Sequence, residues 1–134
     1  LIDDFRSRRP QPDYMSTILG NTFPIGMHIE IMTIEALRSA NEKASLDSDR
    51  EHVTPYIYNE ESFLVDRLNF HEDASDLRLT VDYYEDVLLM KRLAEELGER
   101  VHTVTCCELV RILRENPDLT LLNSKFYKKQ SLAR

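Results

Sequence analysis

Residues 77–98 read LRLTVDYYEDVLLMKRLAEELG, and this stretch decides the fold class. Its first five residues alternate between apolar and polar, which predicts a half-buried β-strand. After Asp82 the pattern changes to helical spacing, and Gly98 supplies a C-terminal stop. The predicted inner stripe of this helix is Val87, Met90, Ala94 and Leu97. Strands interleaved with amphipathic helices indicate an α/β or α+β layer fold.

The first part of the sequence predicts two strands and a helix. Residues 1–13 contain two prolines and predict an opening connector. Residues 14–31 are β-like but interrupted by glycine and proline, so we predict a strand, a turn and a second strand over 27–32. Thr33 can cap the helix that follows, in which the apolar residues near helical spacing are Ile34, Leu37 and Ala40.

Three further helix starts carry N-capping signals. Ser48 and Thr105 each head a capping box with a glutamate three residues later, and Asp82 heads its Asp analogue. The helix that begins near Thr105 is expected to end before Pro117, because proline disfavours helical geometry in the residue before it. The sequence has no internal repeat, and its 134 residues suit a single domain spanning 1–134.

The composition predicts a cytoplasmic protein. Apolar residues make up 42% and charged residues 31% of the chain, which excludes a disordered composition. No apolar run approaches the roughly 20 residues of a membrane span, and no signal-peptide pattern is present. Cys106 and Cys107 are adjacent, which argues against an ordinary disulfide and indicates free, partly buried thiols in a reducing compartment.

Several function classes are disfavoured. The net charge of −7 argues against a nucleic-acid binder, because neutralising phosphates requires clustered Lys and Arg. No glycine-rich phosphate loop, no His or Cys pair at zinc spacing and no serine nucleophile elbow occurs. Two short basic groups, interpreted as solvated, are Arg6, Arg8 and Arg9, and Lys125, Lys128 and Lys129.

Residues 49–56, DREHVTPY, concentrate polar side chains in one helical turn and its exit. Arg50 and Thr54 are four residues apart, so on one helix their side chains would share a face. A guanidinium and a hydroxyl on one face can bind a polyhydroxylated or carboxylated ligand through directional hydrogen bonds. A structural interpretation, with Arg50 and Glu51 in local ion pairs and His52 as a structural residue, is favoured by the residues alone.

Asp82 stands at the C-terminal end of the predicted strand, where ligands gather in open α/β sheets. A carboxylate there can bind a hard cation such as magnesium. Alternatively, Asp82 only caps the following helix, with Glu85 completing the capping box. From residue chemistry, the cap alone explains Asp82.

Four stretches of the sequence resemble the signature of the spore coat polysaccharide biosynthesis protein F family. They are residues 1–3 (LID), 23–30 (FPIGMHIE), 49–56 (DREHVTPY) and 77–86 (LRLTVDYYED). That family belongs to the cytidylyltransferase-like group, together with the acylneuraminate and Kdo cytidylyltransferases. The resemblance covers nearly the whole chain, and the agreement of four motifs in order and spacing makes it specific.

The resemblance implies the C-terminal half of a GT-A-like α/β sandwich with a mixed sheet and flanking helices. Enzymes of this kind use magnesium to transfer CMP from CTP to a sugar, here expected to be acidic, and release pyrophosphate. In the family, the nucleotide-binding loop and one metal-binding Asp lie upstream of the position that matches Leu1. We therefore expect a piece of a longer polypeptide that is inactive by itself, and a homodimer for the complete protein.

The resemblance also implies site residues. Asp82 matches the family's second metal-binding Asp, and a carboxylate has enough lone pairs for both a cation and a cap. Catalytic roles are implied for Asp82 and Arg50, and substrate binding for Glu30, Glu51, His52 and Tyr56. His28 stands where the family usually has Asp, which bears on sugar specificity, and Tyr84 stands where Pro is common.

Two other functions stay open. One is a glycosyltransferase on the same fold, which would release a nucleoside mono- or diphosphate instead of pyrophosphate. The other is a non-catalytic remnant retained as an interaction or dimerisation module, since a missing half would leave sheet edges and apolar surface exposed. Its interface could include Leu64, Leu68 and Phe70, although such residues are more often core.

Overall fold

The computed structural model describes residues 2–126 of the chain and divides into two compact units. Among the described residues, the first unit comprises 2–20 and 29–69, and the second comprises 21–28 and 70–126. Leu1, Lys128 and Lys129, which carry two of the sequence predictions, lie outside the described residues. The single-domain assignment stays a prediction.

The first unit is built around a small mixed sheet. Its strands are β1 (Tyr14–Ser16), β2 (Glu30–Met32) and β3 (Val65–Arg67), in the order β2-β1-β3. Strand β1 pairs antiparallel with β2 and parallel with β3. The helices of this unit are α1 (Ile2–Ser7), α2 (Ile34–Lys43), α3 (Asp47–His52) and α4 (Thr54–Asn59). Mixed pairing and flanking helices confirm the predicted α/β class.

Local chemistry explains part of the first unit. Thr33 caps α2 as predicted, because its hydroxyl accepts a hydrogen bond from the Ala36 amide at 3.1 Å. The opening segment, predicted as a connector, contains α1 instead. The capping box predicted at Ser48 is wrong, since the N-cap of α3 is Leu46, two residues earlier, and Ser48 lies inside the helix. The buried core of the unit is formed by Tyr14, Ala36, Ala40 and Ile57.

The second unit is mainly helical. Its helices are α5 (Tyr84–Leu97), α6 (Cys106–Glu115) and α7 (Pro117–Leu121), with 3₁₀ turns at Gly98–His102 and Ser124–Phe126. Thr105 caps α6 with the predicted box, in which Glu108 accepts from the Thr105 amide at 2.9 Å. The buried core residues are Ala74, Leu77, Leu89, Leu93, Leu97, Val110, Ile112 and Leu113.

Two predictions for the second unit need correction. The predicted strand over 77–81 is reduced to an isolated parallel bridge between Ile25 and Arg78. The buried side of α5 contains Asp86, Leu89, Leu93 and Leu97, whereas Ala94 is exposed. The predicted stripe had the correct helical spacing but was rotated around the helix relative to the buried side. The buried side begins at Asp86, a charged residue that the prediction did not include.

Other sequence predictions can be compared with the described residues directly. Cys106 and Cys107 are free thiols, one partly buried and the other exposed. Leu64 is exposed, whereas Phe70 packs against the core of the second unit. Within residues 2–126, no helix is both long and apolar enough to cross a membrane.

Candidate functional site

Asp82 lies just before α5, in contact with Arg78. The Arg78 Nη2 atom donates to Asp82 Oδ2 at 2.6 Å, and 63% of the Asp82 side chain is exposed. The sequence predicted Asp82 as the N-cap of α5, but the N-cap in the structure is Tyr83. The capping carboxylate is that of Asp86, which accepts from the Tyr83 amide at 3.0 Å. The alternative that Asp82 is only a cap is therefore wrong.

The Asp86 carboxylate accepts hydrogen bonds from several groups around Asp82. It is completely buried, and it accepts from the Asp82 and Tyr83 amides, each at 3.0 Å. Asn123 Nδ2 donates at 2.8 Å, and Arg78 donates through Nε at 3.2 Å and Nη2 at 3.0 Å. Burial by itself would raise the pKa of Asp86, but these hydrogen bonds hold it well below the ordinary value. The carboxylate therefore stays ionised and fixes Arg78.

Sequence reasoning missed Asp86, although a signal was present. Asp86 stands three residues before Leu89 and seven before Leu93, which places a carboxylate on the buried face of an amphipathic helix. A charged residue at such a position requires a buried partner. Arg78, eight residues upstream, is that partner.

Two of the motif segments meet in the second unit. The Ile25 amide donates to the Leu77 carbonyl at 2.8 Å, and the Leu79 amide donates to the Ile25 carbonyl at 2.7 Å. Gly26 follows with φ of 98°, and a Cβ placed there would lie 2.7 Å from the Leu79 main chain. Only glycine combines this backbone conformation with so close an approach. The glycine of FPIGMHIE thus packs directly against LRLTVDYYED.

The acidic groups near Asp82 provide at most part of a metal site. Among residues 2–126, no cluster of three His, Cys, Asp or Glu side chains could hold a metal ion. Both oxygens of the buried Asp86 carboxylate accept hydrogen bonds from protein groups. Asp82, by contrast, is exposed and accepts from Arg78 through one oxygen. Asp82 fits as one oxygen ligand of a hard cation, with the others supplied from elsewhere.

Glu30, the predicted substrate-binding residue at the start of β2, is bonded to a buried tyrosine. The Tyr14 hydroxyl donates to the Glu30 carboxylate, while Tyr14 itself has no exposed surface. Burial, and then the hydrogen bond to Glu30, raise the pKa of Tyr14 far above its ordinary value. Tyr14 therefore remains a neutral donor. Sequence reasoning missed this residue, because it was predicted only as part of a strand.

The segment 49–56 does not form one helical face. Val53, with φ of 62° and ψ of −57°, separates α3 from α4, so Arg50 and Thr54 belong to different helices. The proposed i, i+4 pairing of Arg50 with Thr54 is wrong. Arg50 donates instead to the main-chain oxygens of Asn41 at 3.2 Å and Ala44 at 3.4 Å. These contacts tie α3 to the C-terminal end of α2.

The remaining predicted residues have different surroundings. Glu51 and His52 are exposed on α3, and the His52 carbonyl accepts from the Thr54 hydroxyl at 3.5 Å. Tyr56 is partly buried on α4 and lies edge-on to Phe63, with ring centroids 6.1 Å apart. Glu30, Arg50, Glu51, His52 and Tyr56 belong to the first unit, whereas Asp82 belongs to the second.

Comparison with known proteins adds to this geometry. The chain is 35% identical over 106 residues to the spore coat polysaccharide biosynthesis protein SpsF of Bacillus subtilis, covering 75% of this chain and 40% of that protein. It is 32% identical over 120 residues to an uncharacterized protein of Methanocaldococcus jannaschii, covering 87% of this chain and 47% of that protein. No protein-family model matches the chain.

A solved structure has the same fold. The cytidylyltransferase from Leptospira borgpetersenii superposes with a TM-score of 0.81 at 24% identity, over 99% of this chain and 52% of that one. The chain is SpsF-like in sequence and cytidylyltransferase-like in fold. The resemblance predicted from the four motifs is confirmed. This SpsF-like chain spans about half the length of the proteins it matches, which is consistent with the predicted half of a cytidylyltransferase-like protein.

Proposed function

We propose that this SpsF-like chain is part of a nucleotidyltransferase that transfers CMP from CTP to a sugar for surface or spore-coat polysaccharide biosynthesis. The observation that carries the proposal is the similarity to SpsF, whose name states a role in polysaccharide biosynthesis, on the fold of a cytidylyltransferase. The sugar is expected to be acidic, as in the sequence-based prediction. The enzyme is expected to be a cytoplasmic homodimer.

The reaction requires a sugar hydroxyl to attack the α-phosphorus of CTP. A new P–O bond forms to the sugar, the bond to the pyrophosphate leaving group breaks, and the hydroxyl proton is released. Charge develops on the phosphate oxygens, so preorganised charged groups supply much of the stabilisation. Magnesium, when bound, would neutralise part of that charge. Asp82 would provide one of its oxygen ligands.

The geometry near Asp82 supports this role. Asp86 holds Arg78, and its bonds to the Asp82 and Tyr83 amides fix the backbone that carries Asp82. A metal ligand is effective when neighbouring groups orient it in this way. Arg78 also balances the charge of Asp82 in the absence of a cation.

The substrate-binding roles of Glu30, Glu51, His52 and Tyr56, and the catalytic role of Arg50, are part of the same proposal. Glu30 has the strongest support, since a buried donor orients its exposed carboxylate. Arg50 has the weakest, since its guanidinium is bonded to carbonyls of α2. We propose that the nucleotide-binding loop and the other metal ligands belong to the part of the relatives that this chain does not span.

The proposal is tested by assaying pyrophosphate release from the full-length protein with CTP, magnesium and a panel of acidic and neutral sugars. Release that needs both CTP and one of the sugars supports it. A glycosyltransferase would instead consume a nucleotide-sugar and release a nucleoside mono- or diphosphate. Absence of pyrophosphate with every sugar and every nucleoside triphosphate would refute the proposed activity. The 134-residue chain by itself is expected to be inactive, and sedimentation velocity tests the expected dimer.

A further inference from the structure

Tyr14 and Glu30 are neighbours across the sheet of the first unit. In the antiparallel register, Tyr14 is opposite Met32 and Ser16 is opposite Glu30. Tyr14 and Glu30 are therefore diagonal neighbours on one face, which is within the reach of a tyrosine. The Tyr14 hydroxyl uses this placement to donate to the Glu30 carboxylate.

The two partners differ in exposure. Tyr14 is completely buried, with Ala36 and Ile57 in the same core cluster and the Tyr58 ring 6.1 Å away. Glu30 is exposed. Packing restricts the tyrosine to one orientation, whereas an exposed glutamate by itself samples several rotamers. Because the Tyr14 ring is fixed by packing, its hydrogen bond favours one orientation of the exposed Glu30 carboxylate.

A third segment reaches the same hydroxyl. The Ser16 and Thr54 side chains lie near enough to the Tyr14 hydroxyl to lower its pKa slightly, against the larger effects of burial and Glu30. Thr54 begins α4, directly after the positive-φ residue Val53. A β-branched residue with positive φ is strained, and such strain persists where the surroundings require it. The motifs FPIGMHIE and DREHVTPY therefore both contribute side chains at Tyr14.

We propose that Tyr14 is a positioning residue, whose hydroxyl orients the Glu30 carboxylate to accept hydrogen bonds from sugar hydroxyl groups. This inference rests on the proposed function, because it assumes that Glu30 binds the sugar. It adds a residue that lies outside all four family-like motifs. Tyr14 is buried, so it acts through Glu30 and not by direct contact with the sugar.

The test uses the full-length enzyme and the variants Tyr14→Phe and Glu30→Ala. Tyr14→Phe removes the donor and keeps the ring, so the KM for the sugar should rise about tenfold, as expected for loss of a hydrogen bond to a charged group. The KM for CTP should change by less than about twofold. The double variant should lose little beyond Glu30→Ala alone, because Tyr14 acts only through the side chain that Glu30→Ala removes. The matched control is Tyr58→Phe, which removes a neighbouring phenol oxygen and should leave both KM values unchanged.

The possible outcomes separate the two proposals. A sugar KM unchanged by Tyr14→Phe, equal losses for sugar and CTP, or additive effects in the double variant would each overturn the positioning role while leaving the activity intact. Saturation-transfer NMR with the same sugars provides a readout without turnover. Binding of a sugar that Tyr14→Phe weakens, without pyrophosphate release, would refute the proposed function and support the role of Tyr14. Absence of both binding and turnover would overturn both.

Discussion

At the scale of single residues, the Asp86 carboxylate is completely buried and depends on its hydrogen bonds to stay ionised. It accepts from Arg78, Asn123 and two main-chain amides. We predict that Asp86→Ala lowers the free energy of unfolding by about 3–5 kcal/mol, because it leaves a guanidinium without its buried partner. The control is Asp82→Ala, which removes an exposed carboxylate from the same guanidinium and should cost at most about 1 kcal/mol. Urea denaturation compares the two, and equal losses would contradict this description of the network.

The same carboxylate makes stability depend on pH. The pKa of Asp86 is lower in the folded protein than its ordinary value of 3.8, so the unfolded chain binds more protons in mildly acidic solution. The free energy of unfolding should therefore fall as the pH decreases below about 5. We predict that Asp86→Asn reduces this slope. The rest of the slope should come from other carboxylates with lowered pKa values, including Asp66 and Asp76. Urea denaturation at several pH values measures it, and an unchanged slope would argue against the assignment.

At the scale of elements, two glycines provide a matched comparison. Gly26 and Gly98 both have positive φ, but a Cβ at Gly26 would lie 2.7 Å from the Leu79 main chain, whereas one at Gly98 has no neighbour within 4 Å. We predict that Gly98→Ala costs about 1–3 kcal/mol from backbone strain alone. Gly26→Ala should cost clearly more, because backbone must also move. Thermal denaturation checks the order, and a Gly26→Ala variant at least as stable as Gly98→Ala would contradict the close packing of the two motifs.

Helices could be predicted correctly where the residues that start them lie within a single turn. Thr33 and Thr105 cap their helices as predicted, since a cap depends only on residues within one turn. The phase of α5 was predicted incorrectly, because the predicted stripe used apolar residues alone, whereas Asp86 is buried through its bonds to Arg78 and to Asn123, which is 37 residues away. The break at Val53 was missed for a related reason, since nothing in DREHVTPY by itself requires a β-branched residue with positive φ.

At the scale of the whole molecule, the motifs predicted the family resemblance and the fold class, and both are confirmed. The division into two units was not predicted, because it depends on residues 21–28 packing with 70–126 instead of with their sequence neighbours. The proposed site residues Asp82 and Glu30 come from the motifs. Their supporting residues, Asp86 and Tyr14, were identified from the structure.

The proposed nucleotidyl transfer can be observed directly in a ³¹P NMR time course of the full-length protein with CTP, magnesium and the sugar panel. We predict that the CTP signals are replaced by one phosphodiester signal from a CMP-sugar and by pyrophosphate in equal amount. We also predict that Asp82→Ala abolishes this conversion while the protein stays folded. Unchanged CTP with every sugar would contradict the proposed nucleotidyl transfer, and full conversion by Asp82→Ala would contradict the role of Asp82.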